Sequence, residues 1–330
     1  MKFVSNRNIT DPTLNLALEE YILRSLPDTD DYLLFYMNEP SIIIGKNQNT
    51  VEEINAEYVE RNGIRVVRRL SGGGAVYHDL GNLNFSFIMK DDGKSFHNFK
   101  KFTEPVVRAL RGMGVEAELS GRNDLQVGER KISGNAQFST KGKMFSHGTL
   151  LFDSEIENVV SALKANAEKY VSKATKSIRS RVANISEFLR EPMTIEQFRT
   201  RLLASLFEGE KEIPYYELSE QDWDNVRKLA DERYRSWEWN YGRSPAFNVR
   251  QTKRIEGAGT FDVRLQVEDG VIAGATIFGD FFGRGDSAEL AAKFVGVRYE
   301  AEALGRLLDD VDLPFYVGPV TKEQWLELML

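Results

Sequence analysis

The 330-residue sequence predicts an α+β protein whose sheets are mixed or largely antiparallel. Apolar runs typical of strands recur along residues 115–152, and turn signals at 127–129 and 140–143 separate them as in hairpins. Helical segments lie among the other strand-like runs without the regular strand–helix alternation of a doubly wound parallel sheet. A chain of this length is natural for two domains.

The periodicity of apolar residues predicts the individual elements in order. Asp11 as N-cap and Pro12 in the first turn predict an amphipathic helix over residues 11–25. The other predicted helices cover residues 52–62, 102–113, 155–164 and 194–208. The predicted strands cover residues 32–37, 41–44, 64–68 and 83–89, with further strands in 115–152.

The sequence predicts a second, smaller domain at the C-terminal end. Gly242-Arg243-Ser244-Pro245 punctuates the chain as a linker would. Strand-like runs at 259–267 and 271–278 then precede helical segments at 287–294 and 300–309. The predicted boundaries are residues 1–245 for the first domain, 246–252 for the linker and 253–330 for the second domain.

Composition and charge exclude several classes of function. The formal net charge of −7 argues against general nucleic-acid binding, and no apolar run approaches the length of a membrane span. Residues 1–7 lack the apolar core of a signal peptide, so we expect a cytoplasmic protein. The chain has no cysteine and three histidines, which excludes disulfides and makes a structural zinc site an unfavourable interpretation.

The most informative stretch runs from Arg68 to Asp79 and contains three consecutive glycines, Gly72-Gly73-Gly74. Glycines let a backbone turn tightly and bring its N–H groups close to a ligand. The arginines at 68 and 69 carry planar, permanently charged groups suited to phosphate or carboxylate. The pattern indicates an anionic ligand at the rim of a sheet, although a tight turn flanked by solvated arginines would look similar.

Five further motifs follow in the chain, and with the glycine stretch they resemble one family. They are Ser120-Gly121-Arg122-Asn123-Asp124-Leu125, Arg130-Lys131-Ile132-Ser133-Gly134-Asn135-Ala136, Ser146-His147-Gly148-Thr149-Leu150-Leu151, Lys176-Ser177-Ile178-Arg179-Ser180-Arg181-Val182-Ala183-Asn184 and Trp237-Glu238-Trp239-Asn240-Tyr241-Gly242. Together they resemble the lipoate–protein ligases, relatives of the biotin protein ligases. The resemblance implies a biotin-ligase-like catalytic domain followed by a small C-terminal α+β accessory domain.

The resemblance implies ATP-dependent activation of free lipoate to lipoyl-AMP, then transfer of the lipoyl group to a protein lysine. Related lipoyl and octanoyl transferases carry the acyl group on a cysteine. A chain without any thiol cannot form that thioester, so adenylation is the expected route. Octanoate is a possible second substrate.

The resemblance also assigns residues to the site. Lys131 matches the central family lysine, which touches the lipoate carboxyl and the α-phosphate. The expected ATP- and adenylate-binding residues are Arg69, Gly74, Ala75, Val76, Tyr77, Asn123, Asp124, Lys131, Arg179 and Arg181. The expected lipoate-binding residues are Ser71, Gly72, Gly73, Gly74, His78, Lys131 and His147. Asn123 and Asp124 are the expected Mg²⁺ ligands, since Mg²⁺ prefers a few oxygen donors together with phosphate.

Lys173, Lys176, Arg179 and Arg181 match the adenylate-binding loop of the family, and residues 172–184 could close over lipoyl-AMP as a lid. The expected partners are lipoyl domains of 2-oxoacid dehydrogenase E2 subunits, the glycine-cleavage H protein, or both; neither nucleic acid nor membrane is expected. Two alternatives stay open. One is a non-catalytic regulator that binds lipoyl-AMP or a lipoyl domain, and the other is a ligase of a different acid such as biotin.

Overall fold

A computed structural model of the chain describes residues 1–163, 181–208, 210–241, 248–268, 270–299 and 301–330. The chain divides into two compact units. The first contains Met1–Ile43, Val51–Arg68 and Val76–Asn240, and the second contains Ile44–Thr50, Arg69–Ala75 and Tyr241–Leu330. The glycine stretch thus belongs to the unit that holds the C-terminal residues. The sequence-based boundaries at 245 and 253 stay a prediction.

An eight-stranded mixed sheet is the centre of the first unit as far as the chain is described. Its strands are β1 Lys2–Val4, β2 Tyr32–Tyr36, β6 Asn82–Lys90, β7 Glu118–Ser120, β8 Asp124–Val127, β9 Arg130–Thr140, β10 Lys143–Leu151 and β11 Tyr215–Tyr216. Their order in the sheet is β11-β1-β2-β6-β10-β9-β8-β7. β1 pairs in parallel with β2 and β11, whereas the other neighbours are antiparallel. The predicted mixed α+β class is confirmed.

A small sheet, β4-β3-β5, carries the strands on either side of the glycine stretch. Its strands are β3 Ser41–Ile44, β4 Arg65–Arg68 and β5 Val76–His78. The α-helices described between residues 1 and 241 are α1 Pro12–Ser25, α2 Thr50–Glu53, α3 Ala56–Arg61, α4 Phe99–Gly112, α5 Ile156–Ala162, α6 Ile195–Leu206, α7 Glu220–Leu229 and α8 Trp237–Asn240. A 3₁₀ turn covers Ile185–Phe188 and a π-helical turn covers Ala230–Tyr234.

The two faces of the large sheet differ in chemistry because side chains alternate along a strand. Phe85 and Phe87 of β6 point to one face and join the main apolar core, to which α4 and α6 contribute. Ser86, between them, points to the opposite face, where His147 of β10 is its register partner. Helix α1 covers that second face. The sheet therefore has an apolar side and a side with buried polar groups.

The N-terminal helix is confirmed, but the helix predicted over 52–62 is wrong as one element. Asp11 caps α1 by accepting from Thr13 N–H, as the sequence predicts. The second segment forms two short helices, α2 and α3. The break occurs because Asn55 N–H donates to Ala162 O and the Asn55 side chain caps α3. A long-range backbone contact and a local cap outweigh the helical periodicity.

The second unit contains a three-stranded antiparallel sheet with helices on one side. Its strands are β12 Val249–Ile255, β13 Gly259–Glu268 and β14 Val271–Gly279, and its helices are α9 Ser287–Phe294, α10 Ala301–Asp309, α11 Leu313–Val317 and α12 Lys322–Met329. Phe261, Phe281 and Trp325 lie at the centre of its apolar core. The C-terminal α+β domain is thereby confirmed. No described helix in either unit is long and apolar enough to cross a membrane.

The carboxylate of Asp262 binds two arginines of this C-terminal sheet. Arg264 Nη2 donates to it at 2.6 Å and Arg250 Nη2 at 2.8 Å. Burial acts to raise the pKa of Asp262, but the hydrogen bonds from Arg264 and Arg250 outweigh burial and lower it. A carboxyl with a lowered folded-state pKa contributes stability at neutral pH, and this contribution is lost as the pH falls through that pKa.

We therefore expect Asp262→Asn to lower the free energy of unfolding by about 1–3 kcal/mol at pH 7. The difference from wild type should begin to shrink below about pH 4, because the carboxyl of the unfolded chain takes up a proton there before that of the folded chain, whose pKa is lowered. Denaturant unfolding at pH 7 and pH 3 measures both values. Glu302→Gln, which changes an exposed carboxylate in the same unit, should have little effect at either pH. A pH-independent difference for Asp262→Asn would contradict the assigned ionisation.

Candidate active site

Lys131 lies near the start of β9 and reaches across to β8. Its Nζ is 2.9 Å from Asp124 Oδ1, and both side chains are 39% exposed. A β-bulge interrupts the register of the two strands beside Lys131, which is how sheets often re-aim a functional side chain. A Cβ at Gly134 would lie 3.1 Å from the lysine nitrogen, so the glycine leaves the space that the ammonium occupies. The ammonium is thus held near a carboxylate but remains accessible.

The backbone of Lys131 is bound to the segment that follows residues 164–180. Lys131 N–H donates to Arg181 O at 2.7 Å, and Ala183 N–H donates to Lys131 O at 2.9 Å. Arg181 is exposed, so one cation assigned to the adenylate-binding loop stands directly beside the lysine strand. Lys173, Lys176 and Arg179 lie outside the described residues. Most of the lid expected over 172–184 lies outside them as well.

Asn123 and Asn135 join the start of β8 to β9 by hydrogen bonds. The backbone N–H and Nδ2 of Asn135 both donate to Asn123 O, at 2.9 and 3.0 Å. Asn123 Nδ2 donates in return to Asn135 O at 2.6 Å. A Cβ at Gly148 would come within 2.2 Å of Asn135 Oδ1, so glycine is required there. Asn135 and Gly148 received no role from the sequence, although both stand inside its motifs.

These residues fit a magnesium ion only as part of a larger ligand set. Asp124 offers its carboxylate. Asn123 offers its Oδ1, because its Nδ2 is the amide atom that donates to Asn135 O. No cluster of three or more His, Cys, Asp or Glu that could hold a metal occurs in the described parts of the chain. Mg²⁺ is commonly held by one or two carboxylates plus substrate phosphates and water. The pair therefore suits an ion carried by a nucleotide.

Arg69 is buried inside the glycine stretch and organises it. Its Nε donates to Ser71 Oγ at 3.0 Å, and its Nη2 donates to Gly72 O at 2.7 Å and Gly74 O at 2.8 Å. A guanidinium satisfies several carbonyls at once because its donors are fixed in a planar fork. The three glycines are therefore wrapped around a positive charge. Ser71 is fully buried, whereas Gly74 is exposed.

Gly72 and Gly73 cannot carry a side chain in this arrangement. A Cβ on Gly72 would lie 2.2 Å from Phe281 O, and one on Gly73 would lie 2.9 Å from the Phe282 ring. Gly73 also has a φ of +90°, which L-residues rarely adopt. Gly74 has open space where its Cβ would be. Two of the three glycines are thus required by packing within the second unit.

Arg68, immediately before this stretch, serves a different purpose. Its Nε donates to Trp239 O at 2.9 Å and its Nη2 to Asn240 O at 3.3 Å. Its backbone N–H donates to Asn240 Oδ1, and Trp239 Nε1 donates to Arg68 O. Burial lowers the pKa of Arg68 to about 10, which still leaves it charged at neutral pH. Arg68 therefore ties the end of β4 to Trp239 and Asn240 and is not a solvated arginine.

We expect Asn240→Ala to lower the free energy of unfolding by about 1–3 kcal/mol, because it leaves a buried N–H and a buried carbonyl without partners. The affected groups are Arg68 N–H and Tyr234 O, which Asn240 Nδ2 reaches at 2.8 Å. Denaturant unfolding measures the loss. Glu238→Ala, on the same short helix, keeps both hydrogen bonds and serves as the control. Equal stability of Asn240→Ala and wild type would contradict this account of the motif.

Strand β5 follows the glycine stretch and contains Val76, Tyr77 and His78, with Ala75 just before it. Burial raises the pKa of Tyr77 to about 12, so its hydroxyl remains a donor at neutral pH. His78 is buried opposite Ser41 of β3. Its Nδ1 is 3.0 Å from Asn38 Nδ2.

His147 is buried on the polar face of the large sheet. Its Nδ1 lies 2.9 Å from Glu19 Oε1 of α1, so the imidazole donates to a carboxylate there. The neighbouring Glu20 has separate partners: Arg24, Arg233 and the Tyr234 hydroxyl lie 2.6, 2.7 and 2.8 Å from its oxygens. Sequence analysis missed both glutamates. The sequence does contain a pattern that could have identified them: two adjacent acidic residues stand among mainly apolar residues of one helix. Such a pair is rarely part of a solvated face.

The structure brings the predicted residues into two local groups. Asn123, Asp124, Lys131 and Arg181 lie together around the β8–β9 hairpin in the first unit. Arg69, Ser71, Gly72, Gly73 and Gly74 form one wrapped loop in the second unit. His78 and His147 are both buried in the first unit, on different sheets. The individual roles assigned from the sequence stay predictions.

This fold, with an accessible lysine on a bulged hairpin, is that of the lipoyl protein ligase class. The model of the lipoyl protein ligase A/B catalytic domain matches residues 11–207, and that of the bacterial lipoate protein ligase C-terminus matches residues 244–329. The chain is 60% identical to lipoate-protein ligase LplJ of Bacillus subtilis (strain 168) over all of both chains. The chain belongs to the lipoate–protein ligase family and is a ligase enzyme.

Solved structures agree with this membership. The lipoate complex of LipL1 from P. falciparum superposes with a TM-score of 0.79 at 25% identity, covering 99% of this chain and 97% of that one. A bipartite lipoate protein ligase from Thermoplasma acidophilum, described with its E2 lipoyl domain, gives 0.66 at 34% identity and covers 75% and 98%. A lipoate-protein ligase A bound with ATP gives 0.61 at 31% identity and covers 73% and 98%.

Proposed function

We propose that the chain joins free lipoate to ATP, forming lipoyl-AMP and pyrophosphate, and then transfers the lipoyl group to a lysine of an acceptor protein. The observation that carries this proposal is the accessible Lys131 ammonium, held over Gly134 beside Asp124 in a chain without cysteine. Relatives whose solved structures contain lipoate or ATP share the fold. A chain without a thiol needs an activated acyl group other than a thioester.

In the first step a lipoate carboxylate oxygen attacks the α-phosphorus, and the bond to pyrophosphate breaks. Two anions must approach each other, so a cation placed between them lowers the barrier. Lys131 meets this need because an ammonium can contact a carboxylate oxygen and a phosphate oxygen as charge moves between them. Its present partner Asp124 holds the ammonium at the bulged hairpin. Arg181, next to the lysine strand, adds a second positive charge.

In the second step the acceptor lysine nitrogen attacks the acyl carbon, AMP leaves with the bonding electrons, and the nitrogen loses a proton. AMP is a good leaving group, so holding the two reactants in line supplies much of the acceleration. We propose that the loop wrapped around Arg69 presents its backbone to the adenylate, with Gly74, Ala75, Val76 and Tyr77 nearest. The lipoyl chain is proposed to contact Ser71, Gly72, Gly73, His78 and His147.

We propose that Asp124 and the Asn123 amide oxygen would hold the Mg²⁺ that accompanies ATP. When bound, it supplies positive charge to the phosphates. Asp124 would then serve both cations. One of its carboxylate oxygens lies 2.9 Å from the Lys131 ammonium, and the other oxygen is left for the metal ion.

The proposed acceptors are lipoyl domains of 2-oxoacid dehydrogenase E2 subunits and the glycine-cleavage H protein. A structural relative is described with an E2 lipoyl domain, which supports the first class. A cytoplasmic site of action, where ATP and these enzymes occur, is part of the proposal. Octanoate is proposed as a second substrate because it shares the carboxylate and aliphatic chain of lipoate.

Intact-mass spectrometry of an isolated lipoyl domain tests this function. Incubation with enzyme, Mg²⁺, ATP and lipoate should add one lipoyl group, while omission of ATP, or an acceptor whose target lysine is arginine, should give no adduct. Biotin should neither be attached nor compete, which separates lipoate ligation from ligation of another acid. An unmodified acceptor despite folded enzyme would contradict the proposal and favour a regulator.

A further inference from the structure

A chain of three buried asparagines leads to His78. It consists of Asn6, Asn15 and Asn38, which are 2%, 1% and 0% exposed, and it ends at His78, which is 4% exposed. All four belong to the first unit. An asparagine amide has a donor end and an acceptor end, so each member constrains the orientation of the next one.

The orientations of the first two amides are set by backbone groups. Asn6 Oδ1 accepts from Asn8 N–H, so its Nδ2 is the end that donates to Ile9 O and Asn15 Oδ1. Asn15 Nδ2 faces the carbonyls of Ile9 and Met37, at 2.9 and 3.2 Å. Carbonyl oxygens only accept hydrogen bonds, so Asn15 Nδ2 must be a donor.

The orientation of Asn15 determines that of Asn38, and Asn38 in turn determines the tautomer of His78. Asn15 Nδ2 has two hydrogens for three acceptors, so the longest contact, to Met37 O, shares a hydrogen with one of the two 2.9 Å contacts, to Ile9 O and Asn38 Oδ1. Asn38 Oδ1 therefore accepts from Asn15, which leaves Asn38 Nδ2 as the atom 3.0 Å from His78 Nδ1. An amide NH₂ only donates, so His78 Nδ1 must accept and cannot carry a proton. A neutral imidazole then has its proton on Nε2, and an imidazolium would place two donors face to face.

We infer that Asn15 and Asn38 are positioning residues that hold His78 as the neutral Nε2–H tautomer, so that His78 serves the ligase reaction as a hydrogen-bond donor and not as the base that deprotonates the acceptor lysine. The lone pair of this tautomer is on Nδ1, where Asn38 occupies it. His78 directly follows the proposed adenylate-binding residues Gly74–Tyr77. The catalytic part of the inference rests on the proposed function, whereas the tautomer does not.

Nitrogen NMR on ¹⁵N-histidine-labelled enzyme tests the tautomer directly, because the chain has three histidines and His78→Gln assigns the signals. In wild type, His78 should show an unprotonated Nδ1 and a protonated Nε2. Asn38→Asp replaces the donor by an acceptor of the same shape and should move the proton to Nδ1. Ser41→Ala is the matched control: it removes a buried hydroxyl opposite His78 that has no hydrogen-bond partner among the described residues, and it leaves the asparagines intact.

Kinetics of the same proteins test the role in the reaction. Asn38→Asp should lower kcat of lipoate-dependent pyrophosphate exchange about 100-fold with little change in KM, as loss of one positioned donor does. Ser41→Ala should match wild type in this assay.

A wild-type His78 protonated at Nδ1 would overturn the inference, and this result needs no variant to fold. A moved proton with unchanged exchange in Asn38→Asp would also overturn it, since His78 would then be dispensable as a donor. Wild-type exchange measured alongside reports separately on the proposed function.

Discussion

Lys131→Ala is expected to lower lipoate-dependent exchange of pyrophosphate into ATP by about 10²–10³-fold in kcat. The reason is that the Lys131 ammonium is an accessible cation on the bulged hairpin and would offset the charge of two approaching anions. The fold should be retained, because the side chain is 39% exposed and its ion pair with Asp124 contributes little to stability. Exchange with labelled pyrophosphate at saturating lipoate and ATP gives the value.

Two variants sharpen this test. Lys131→Arg keeps the charge but replaces a compact ammonium by a fixed fork, so it should recover only part of the lost rate. Lys90→Ala removes an exposed lysine at the end of β6 and should behave as wild type. Full activity of Lys131→Ala, with circular dichroism unchanged, would remove this lysine from the centre of the mechanism.

Gly73→Ala is expected to lower the free energy of unfolding by about 2–4 kcal/mol, whereas Gly74→Ala should change it by no more than about 0.5 kcal/mol. The two residues are neighbours in the same loop, but Gly73 has a φ of +90° and its added Cβ would lie 2.9 Å from the Phe282 ring and 3.0 Å from Arg69 Nη2. The Cβ on Gly74 would meet nothing within 4 Å.

Denaturant unfolding of both variants beside wild type measures the difference. Gly73→Ala should also bind ATP more weakly, because displacement of Arg69 would release the carbonyls that it holds. Equal losses of stability in the two variants would show that the loop does not have the close packing described here.

The sequence was sufficient for features that depend on local chemistry. Asp11 caps α1 because its carboxylate reaches Thr13 N–H two residues away, and alternation of apolar residues marked β6. The helix predicted over 52–62 failed because Asn55 bonds to Ala162, a residue more than one hundred positions away. Such a contact leaves no trace in local periodicity.

The candidate site also combines features that the sequence predicts with features that depend on tertiary contacts. Motifs identified Lys131, Asp124 and the three glycines, but only the structure shows that Gly72 and Gly73 are required by packing whereas Gly74 is not. Arg68 and Arg69 are adjacent and of one type, yet Arg68 bonds Trp239 and Asn240 while Arg69 holds its own loop. The hydrogen-bond partners of these two arginines therefore depend on tertiary contacts, which the local sequence does not show.

The measurement that tests the central claim most directly is pyrophosphate exchange by the wild-type chain in the absence of any acceptor protein. A chain that activates lipoate by adenylation should exchange label into ATP only when lipoate and Mg²⁺ are both present, and acid quenching should release lipoyl-AMP. Lipoyl transfer to an acceptor without lipoate-dependent exchange, or folded enzyme with no exchange at all, would contradict an adenylating ligase built around Lys131.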